Sequence, residues 1–155
     1  ADAVRKQQQA SVWPNLELHR AWRAVPGSEQ IDIKLINSGI GPAKIAQITF
    51  YHDGTMLSGW DEAIALFSEG PALYSYESVS RRVIRPDQEV ILFSTYAGET
   101  DISVMRAINT AIKEGVLTGA VCYCSLFDTC WRITTALPDA QAVDSCPAAP
   151  PGAQF

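Results

Sequence analysis

Residues 31–54, with the sequence IDIKLINSGIGPAKIAQITFYHDG, contain two apolar segments on either side of a cluster of Asn, Ser, Gly and Pro. In the first segment Ile31, Ile33 and Leu35 alternate with polar residues, which is the period of a strand with one buried face. The apolar residues of the second segment share one face in the same way: Ala46, Ile48 and Phe50. Asn and Gly accept left-handed backbone angles and Pro fixes the next angle, so residues 37–42 predict a turn that pairs the two strands antiparallel.

The same strand pattern recurs on both sides of this segment. Further strands are predicted over residues 15–22, 79–84, 90–96, 119–125 and 130–135. One helix is predicted over residues 61–67, and a second has apolar residues at helical spacing: Ile102, Met105, Ile108 and Ile112. Thr100 or Asp101 is placed to cap the second helix, and Gly115 to end it. About seven strands with turn signals between them predict an immunoglobulin-like antiparallel β-sandwich with two short helices inserted.

The two ends of the chain differ from this middle region in composition, so three parts are predicted. Residues 1–13 form a polar, helical lead-in that Pro14 closes, and it is either a stalk just outside a membrane span or a frayed terminus. Residues 14–136 form the β-sandwich. Residues 137–155 are a proline-rich tail that contains Cys146.

Length, composition and charge exclude several classes of protein. The 155 residues are 47% hydrophobic and 19% charged, which excludes a disordered chain. No run of about 18 uninterrupted apolar residues occurs in the sequence, which excludes a polytopic membrane protein. Seventeen acidic against twelve basic residues give a net charge of −5, so we expect no nucleic-acid partner, because phosphate contacts need a basic face.

Four cysteines lie in the last third of the chain: Cys122, Cys124, Cys130 and Cys146. Their spacing is poor for a structural zinc site, and no C-x-x-C redox motif is present. Cys124 and Cys130 lie on opposite sides of a five-residue loop, at a spacing that a disulfide can bridge. We therefore hypothesise one disulfide between Cys124 and Cys130 and a second between Cys122 and Cys146, which would indicate an oxidising compartment. Buried free thiols and a metal site stay open as alternatives.

The longest irregular region, residues 54–78, contains four large aromatic residues: Trp60, Phe67, Tyr74 and Tyr76. Loops carry much of the binding function of proteins, and Trp and Tyr are enriched at binding centres, so these four predict a binding surface. The alternative is that the aromatic residues pin the long loop to the core. Acidic residues in the same region, such as Asp61 and Glu62, are predicted to form a solvated face.

Catalytic motifs are scarce in this sequence. His52 and Asp53 with a loop serine, Ser58 or Ser75, suggest a small hydrolase as an alternative function, but no G-x-S-x-G elbow supports it. The sequence also lacks H-E-x-x-H, a P-loop and a dinucleotide fingerprint. We therefore expect no catalytic residues, no metal and no cofactor. A purely structural domain that assembles through strand edges is a further alternative.

Three segments together resemble a known kind of bacterial domain. They are QQQASVWPNLEL at 7–18, NSGIGPA at 37–43 and YCSLFDTCW at 123–131. They are similar to the extracytoplasmic β-sandwich domain of uncharacterised bacterial proteins with a single N-terminal membrane span. The resemblance covers about residues 5–135 and implies a non-enzymatic interaction or sensing module with a protein partner. It also implies a location on the periplasmic side of the inner membrane, anchored by a segment upstream of Ala1.

Overall fold

The chain forms two antiparallel β-sheets with the apolar core between them. The computed structural model describes residues 2–10, 12–70, 72–148, 150 and 155. Its elements are α1 (Asp2–Ala10), β1 (Leu16–Arg23), β2 (Gln30–Asn37), β3 (Ala43–His52), β4 (Thr55–Met56), α2 (Trp60–Ala65), β5 (Ser75–Tyr76), β6 (Val83–Ile84), β7 (Glu89–Tyr96), α3 (Ile102–Lys113), β8 (Leu117–Cys124), β9 (Cys130–Thr134) and β10 (Gln141–Val143). The predicted class, an antiparallel β-sandwich with inserted helices, is confirmed.

The seven predicted strands are present as β1, β2, β3, β6, β7, β8 and β9, and the described chain adds three short strands, β4, β5 and β10. Strand β6 is much shorter than the predicted segment 79–84, because Arg81 has a φ of 63° and interrupts the extended backbone. Helix α3 begins as predicted, with Asp101 as its N-cap: the Asp101 carboxylate accepts a hydrogen bond of 2.8 Å from the Ser103 N–H. The Asp101 carboxylate also accepts a hydrogen bond from the Ser103 hydroxyl, and the two bonds together lower the pKa of Asp101.

The predicted hairpin between β2 and β3 is wrong. One sheet has the strand order β1-β2-β7-β5, and the other has the order β10-β9-β8-β3-β4, with β6 also paired to β3. Strands β2 and β3 therefore lie in different sheets, and residues 38–42 carry the chain from one sheet to the other. The alternation of apolar residues is the same in a hairpin and in such a crossing, because it reports only that one face of each strand is buried.

The side chain of Asn37 holds this crossing in place. Its carboxamide is fully buried, and its Nδ2 donates hydrogen bonds to the carbonyl oxygens of Gly41, at 2.9 Å, and Ile84, at 3.0 Å. Its Oδ1 accepts hydrogen bonds from the backbone N–H groups of Gly39, at 3.0 Å, and Asn15, at 3.2 Å. One side chain thus satisfies four backbone groups from three separate segments, so the buried part of the irregular connection packs against the sheets with its polar atoms paired.

The two glycines of the crossing are required by close packing. A Cβ added to Gly39 would lie 2.6 Å from the Trp13 carbonyl oxygen, and one added to Gly41 would lie 2.7 Å from the Val12 Cα. The segment that leads into β1 therefore passes directly against the crossing. Neither glycine has the positive φ that the sequence suggested, so their role is to admit a neighbouring backbone.

A bulge in β3 changes which residues face the core. The pairing of β3 with β8 shifts between Ile45 and Gln47, and as a result Ile45 is buried together with Ile48 and Phe50. Ala46, which the simple alternation places on the buried face, is only half-buried.

The predicted tail contributes to the sandwich. Strand β10 pairs with β9, and Phe155 is buried, with its ring centroid 4.9 Å from that of Phe50 and 5.0 Å from that of Trp60.

Tyr123 joins the two sheets through a buried hydrogen bond: its hydroxyl accepts a bond of 3.3 Å from the Leu16 N–H. Burial raises the pKa of this tyrosine.

Replacing the crossing side chain should be costly. We expect Asn37→Ala to lower the free energy of unfolding by about 3 kcal/mol, because four backbone groups, two of them in buried hydrogen bonds and two in part-buried ones, lose their partner at once. Asn109→Ala is the matched control, since it removes a carboxamide whose side-chain hydrogen bond to a described residue is an exposed one from Arg20, and it should cost less than about 1 kcal/mol. Urea denaturation followed by circular dichroism measures both, and equal losses would contradict the role given to Asn37.

Candidate functional site

The four cysteines form two disulfides, Cys122–Cys146 and Cys124–Cys130. The hypothesised pairing is confirmed, and no described cysteine is left as a free thiol. The sulfurs of Cys124, Cys130 and Cys146 lie within 4.8 Å of one another, as in a metal site, but each is bonded to another sulfur and offers no thiolate. Disulfides persist in oxidising compartments, so this pair indicates an extracytoplasmic environment.

The two disulfides fix the C-terminal part of the chain to the six-stranded sheet. Cys124–Cys130 closes the β8–β9 hairpin, and Cys122–Cys146 ties the segment after β10 to β8. The Gln47 amide reinforces this attachment by donating a hydrogen bond of 3.2 Å to the Ala148 carbonyl oxygen. The proline-rich segment is thus held against the six-stranded sheet.

Three of the four aromatic residues predicted to form a binding surface line one cleft. This cleft, called the acidic cleft below, has a volume of about 190 Å³ and is lined by Ser58, Gly59, Trp60, Asp61, Glu62, Tyr74 and Tyr76. Helix α2 supplies Trp60, Asp61 and Glu62, and β5 with the residue before it supplies the two tyrosines. The pairing of β5 with β7 brings the tyrosines beside the helix.

The four aromatic residues differ in exposure. Trp60 is 5% exposed and packs in the core against Phe50 and Phe93, so only its edge can reach the cleft. Tyr74 is half-buried, with its ring centroid 5.4 Å from that of Phe93, and Tyr76 is 57% exposed. Phe67 is half-buried and does not line the cleft. The aromatic residues therefore fix the loop to the core, and their part in binding stays a prediction.

Two carboxylates give the cleft its charge. Glu62 accepts hydrogen bonds from the Ser58 N–H, at 2.8 Å, and from the Ser58 hydroxyl, and these bonds lower the pKa of Glu62. Asp61 accepts a hydrogen bond from the Tyr74 hydroxyl. Partial burial, and then this bond, raises the pKa of Tyr74, so the tyrosine stays a neutral donor. The sequence indicated only a solvated acidic face here, since the contact of Asp61 with Tyr74 depends on the β5–β7 pairing.

The residues of the hydrolase alternative are not brought together by hydrogen bonds. His52 ends β3 with its ring edge-on to Phe67, at a centroid distance of 5.8 Å. Asp53 lies in the following turn with a φ of 49°, and Ser58 donates to Glu62. Among the described residues, no hydrogen bond joins His52 to Asp53, Ser58 or Ser75.

Comparison of the chain with models of protein families, with curated proteins and with solved structures found no match. Within residues 2–10, 12–70, 72–148, 150 and 155, no helix has both the length and the apolar character needed to span a bilayer. The contacts of the cleft and the disulfides are therefore the observations that bear on function.

Removing the disulfides separately should have unequal effects. Cys122–Cys146 closes a loop with a sequence separation of 24, against 6 for Cys124–Cys130. Loop-closure entropy then predicts losses of about 3.5 kcal/mol for Cys122→Ala/Cys146→Ala and about 2.4 kcal/mol for Cys124→Ala/Cys130→Ala. Guanidinium denaturation of the oxidised variants measures both values. A larger loss for the short hairpin bridge would contradict the prediction that the bridge closing the longer loop contributes more to stability.

Proposed function

We propose that this chain is a non-enzymatic binding module on the periplasmic side of a bacterial inner membrane, which uses the acidic cleft to bind a cationic segment of a protein partner. The observation that carries the proposal is that two carboxylates and an exposed tyrosine ring line the acidic cleft. One end of the sandwich receives the N-terminal helix and presents exposed apolar side chains with two arginines that form no ion pair with any described residue, and the cleft lies toward the other end.

The first end, called the entry face below, is assembled from the crossing and three neighbouring connections. The Ile40 N–H donates to the Trp13 carbonyl oxygen at 3.1 Å, and the Asp87 N–H donates to that of Asn37 at 2.8 Å. Lys44 pairs with Cys124 in the β3–β8 ladder, which brings the β8–β9 connection to the same end. The exposed apolar residues of this face include Trp13, Ile40, Val83, Leu126 and Phe127.

The charges of the entry face suit an anionic bilayer. Arg81 and Arg85 are exposed and form no ion pair with any described residue, and Lys44 neutralises Asp128. Asp87 is the remaining carboxylate of the turn before β7. Exposed Trp, Phe and Ile beside arginines are the side chains that enter the headgroup region of a membrane. Helix α1 leaves from this end, as a tether from the membrane requires.

The opposite end suits a cationic partner. The carboxylates Asp53, Asp61, Glu62, Glu99 and Asp101 lie in its turns and in α2, and the basic residues Arg23 and Lys113 end β1 and α3 at the same end, away from the lining of the cleft. Because its pKa is lowered, Glu62 keeps its negative charge to a lower pH than an unperturbed glutamate does. The exposed ring of Tyr76 offers a face for a cation beside these carboxylates. A lysine or arginine side chain therefore has both an ion-pair partner and an aromatic surface in one cleft.

Vesicle binding tests the entry face. The purified domain should co-sediment with vesicles of phosphatidylglycerol and phosphatidylethanolamine and not with phosphatidylcholine alone. Ile40→Ser/Leu126→Ser/Phe127→Ser should weaken binding about tenfold, because three apolar side chains no longer insert. Val25→Ser/Leu66→Ser/Leu73→Ser is the matched control, since it removes three exposed apolar residues from outside the entry face and should leave binding unchanged. Equal loss in both triple variants, or no binding by the wild type, would refute this orientation.

Peptide binding tests the acidic cleft. We expect Asp61→Asn/Glu62→Gln to weaken the binding of a fluorescent tetralysine peptide at least about fivefold, and Tyr76→Ala to weaken it about threefold. Glu69→Gln/Glu114→Gln makes the same change in net charge outside the cleft and should have little effect. Fluorescence anisotropy at physiological salt gives the three ratios. If the control pair weakens binding as much as the cleft pair, the interaction reflects net charge alone and the proposed cleft is wrong.

A further inference from the structure

A second concave site lies between the two sheets, on the side of the molecule where β1 is the edge strand. This site, called the groove below, has a volume of about 210 Å³. Its floor is apolar and is formed by Leu18, Ile33, Phe50, Ile112, Leu117 and Ile133. Its rim is formed by His19, Arg20, Lys113, Thr118, Thr134, Thr135 and Pro138. The groove shares no lining residue with the acidic cleft.

The groove is open because of one glycine and one edge strand. Gly119 on β8 lines the groove, and a Cβ at this position would lie 2.7 Å from Phe50 Cε1 and 3.2 Å from Leu18 Cδ2. With no side chain at residue 119, Phe50 and Leu18 pack over β8 and form the floor. Strand β1 is the edge strand of its sheet among the described residues, so the groove opens to solvent along this edge.

The charges of the groove are unusual for this chain. The chain has a net charge of −5, yet none of the residues that line the groove is Asp or Glu. Arg20 and Lys113 are exposed and form no ion pair with any described residue, and Arg20 is held toward α3 by a hydrogen bond to the Asn109 carboxamide oxygen. His19 lies 3.8 Å from Glu17, which is outside the lining. The positive charges of Arg20 and Lys113 therefore lie beside the apolar floor of the groove.

We propose that the groove binds a small anionic amphiphile, namely a short straight-chain monocarboxylate. The alkyl chain would lie on the apolar floor, and the carboxylate would pair with Arg20 and Lys113 while accepting hydrogen bonds from the threonine hydroxyls of the rim. A volume of about 210 Å³ is below that of pockets for drug-sized ligands, which favours a single short chain. This proposal is independent of the acidic cleft and of the membrane orientation.

Titration with octanoate tests the proposal on the oxidised full chain. Two-dimensional NMR should show shifts that saturate at Thr118, Gly119 and Ile133, and hexanoate should bind about fifteenfold more weakly, at about fourfold per methylene. Octanol, which lacks the charge, should bind more weakly than octanoate. Equal affinity for octanol, no binding of octanoate in the millimolar range, or shifts confined to residues outside the groove would each overturn the proposal.

Two sets of variants locate the site. Arg20→Gln/Lys113→Gln should weaken octanoate binding about tenfold and leave octanol binding unchanged, whereas Arg106→Gln/Arg132→Gln changes the net charge equally outside the groove and should alter neither. Ile112→Trp should fill the groove and abolish binding of both ligands, with thermal melting as the check that it folds. If it does not fold, the charge variants alone decide. Equal octanoate affinity in the two charge pairs would refute the site.

Discussion

The buried carboxamide of Asn37 is the interaction on which the architecture depends. It supplies hydrogen-bond partners to the crossing between β2 and β3, to the segment before β1 and to β6, and it does so where the chain passes from one sheet to the other. Without such a partner, the carbonyl oxygens of Gly41 and Ile84 would be buried and unpaired, which costs more than a typical hydrogen bond contributes, and the N–H groups of Gly39 and Asn15 would lose a part-buried partner. Gly39 and Gly41 are its necessary companions, because only residues without a Cβ let the segment at 12–15 approach.

This crossing also marks the limit of what the sequence could predict. Alternation at Ile31, Ile33 and Leu35 identified a strand with one buried face, and the same signal identified all the longer strands and the sandwich class. It could not identify the neighbour of each strand, because a hairpin and a crossing bury the same face. The sequence could not predict the β3 bulge for a similar reason. The register of β3 against β8 shifts between Ile45 and Gln47, and only this pairing places Ile45 on the same buried face as Ile48.

The candidate sites show the same limit: features set by residues close in sequence were predictable, and features set by contacts between distant segments were not. The Cys124–Cys130 disulfide was predictable because the β8–β9 hairpin places the two residues opposite each other through local geometry, whereas the Cys122–Cys146 disulfide could only be hypothesised. The acidic cleft was predicted in part: the sequence indicated Tyr74 and Tyr76 as binding residues, but their position beside Asp61 depends on the pairing of β5 with β7. The groove was not visible at all, because Gly119 meets Phe50 and Leu18 only after the two sheets have packed. Thus the sequence indicated the chemistry of the disulfides and of the acidic cleft, whereas the assembly of the cleft and the groove depended on long-range contacts.

The most direct test of this account is a set of backbone NOEs in solution. The crossing predicts contacts of Leu35 with Leu18 and Val90 in one sheet, contacts of Ile48 with Val121 in the other, and Asn37 side-chain amide protons that exchange slowly with solvent. A continuous ladder of NOEs between residues 30–37 and 43–52, with rapid exchange of the Asn37 amide protons, would show a hairpin in place of the crossing. That result would contradict the two-sheet arrangement from which the entry face, the acidic cleft and the groove all follow.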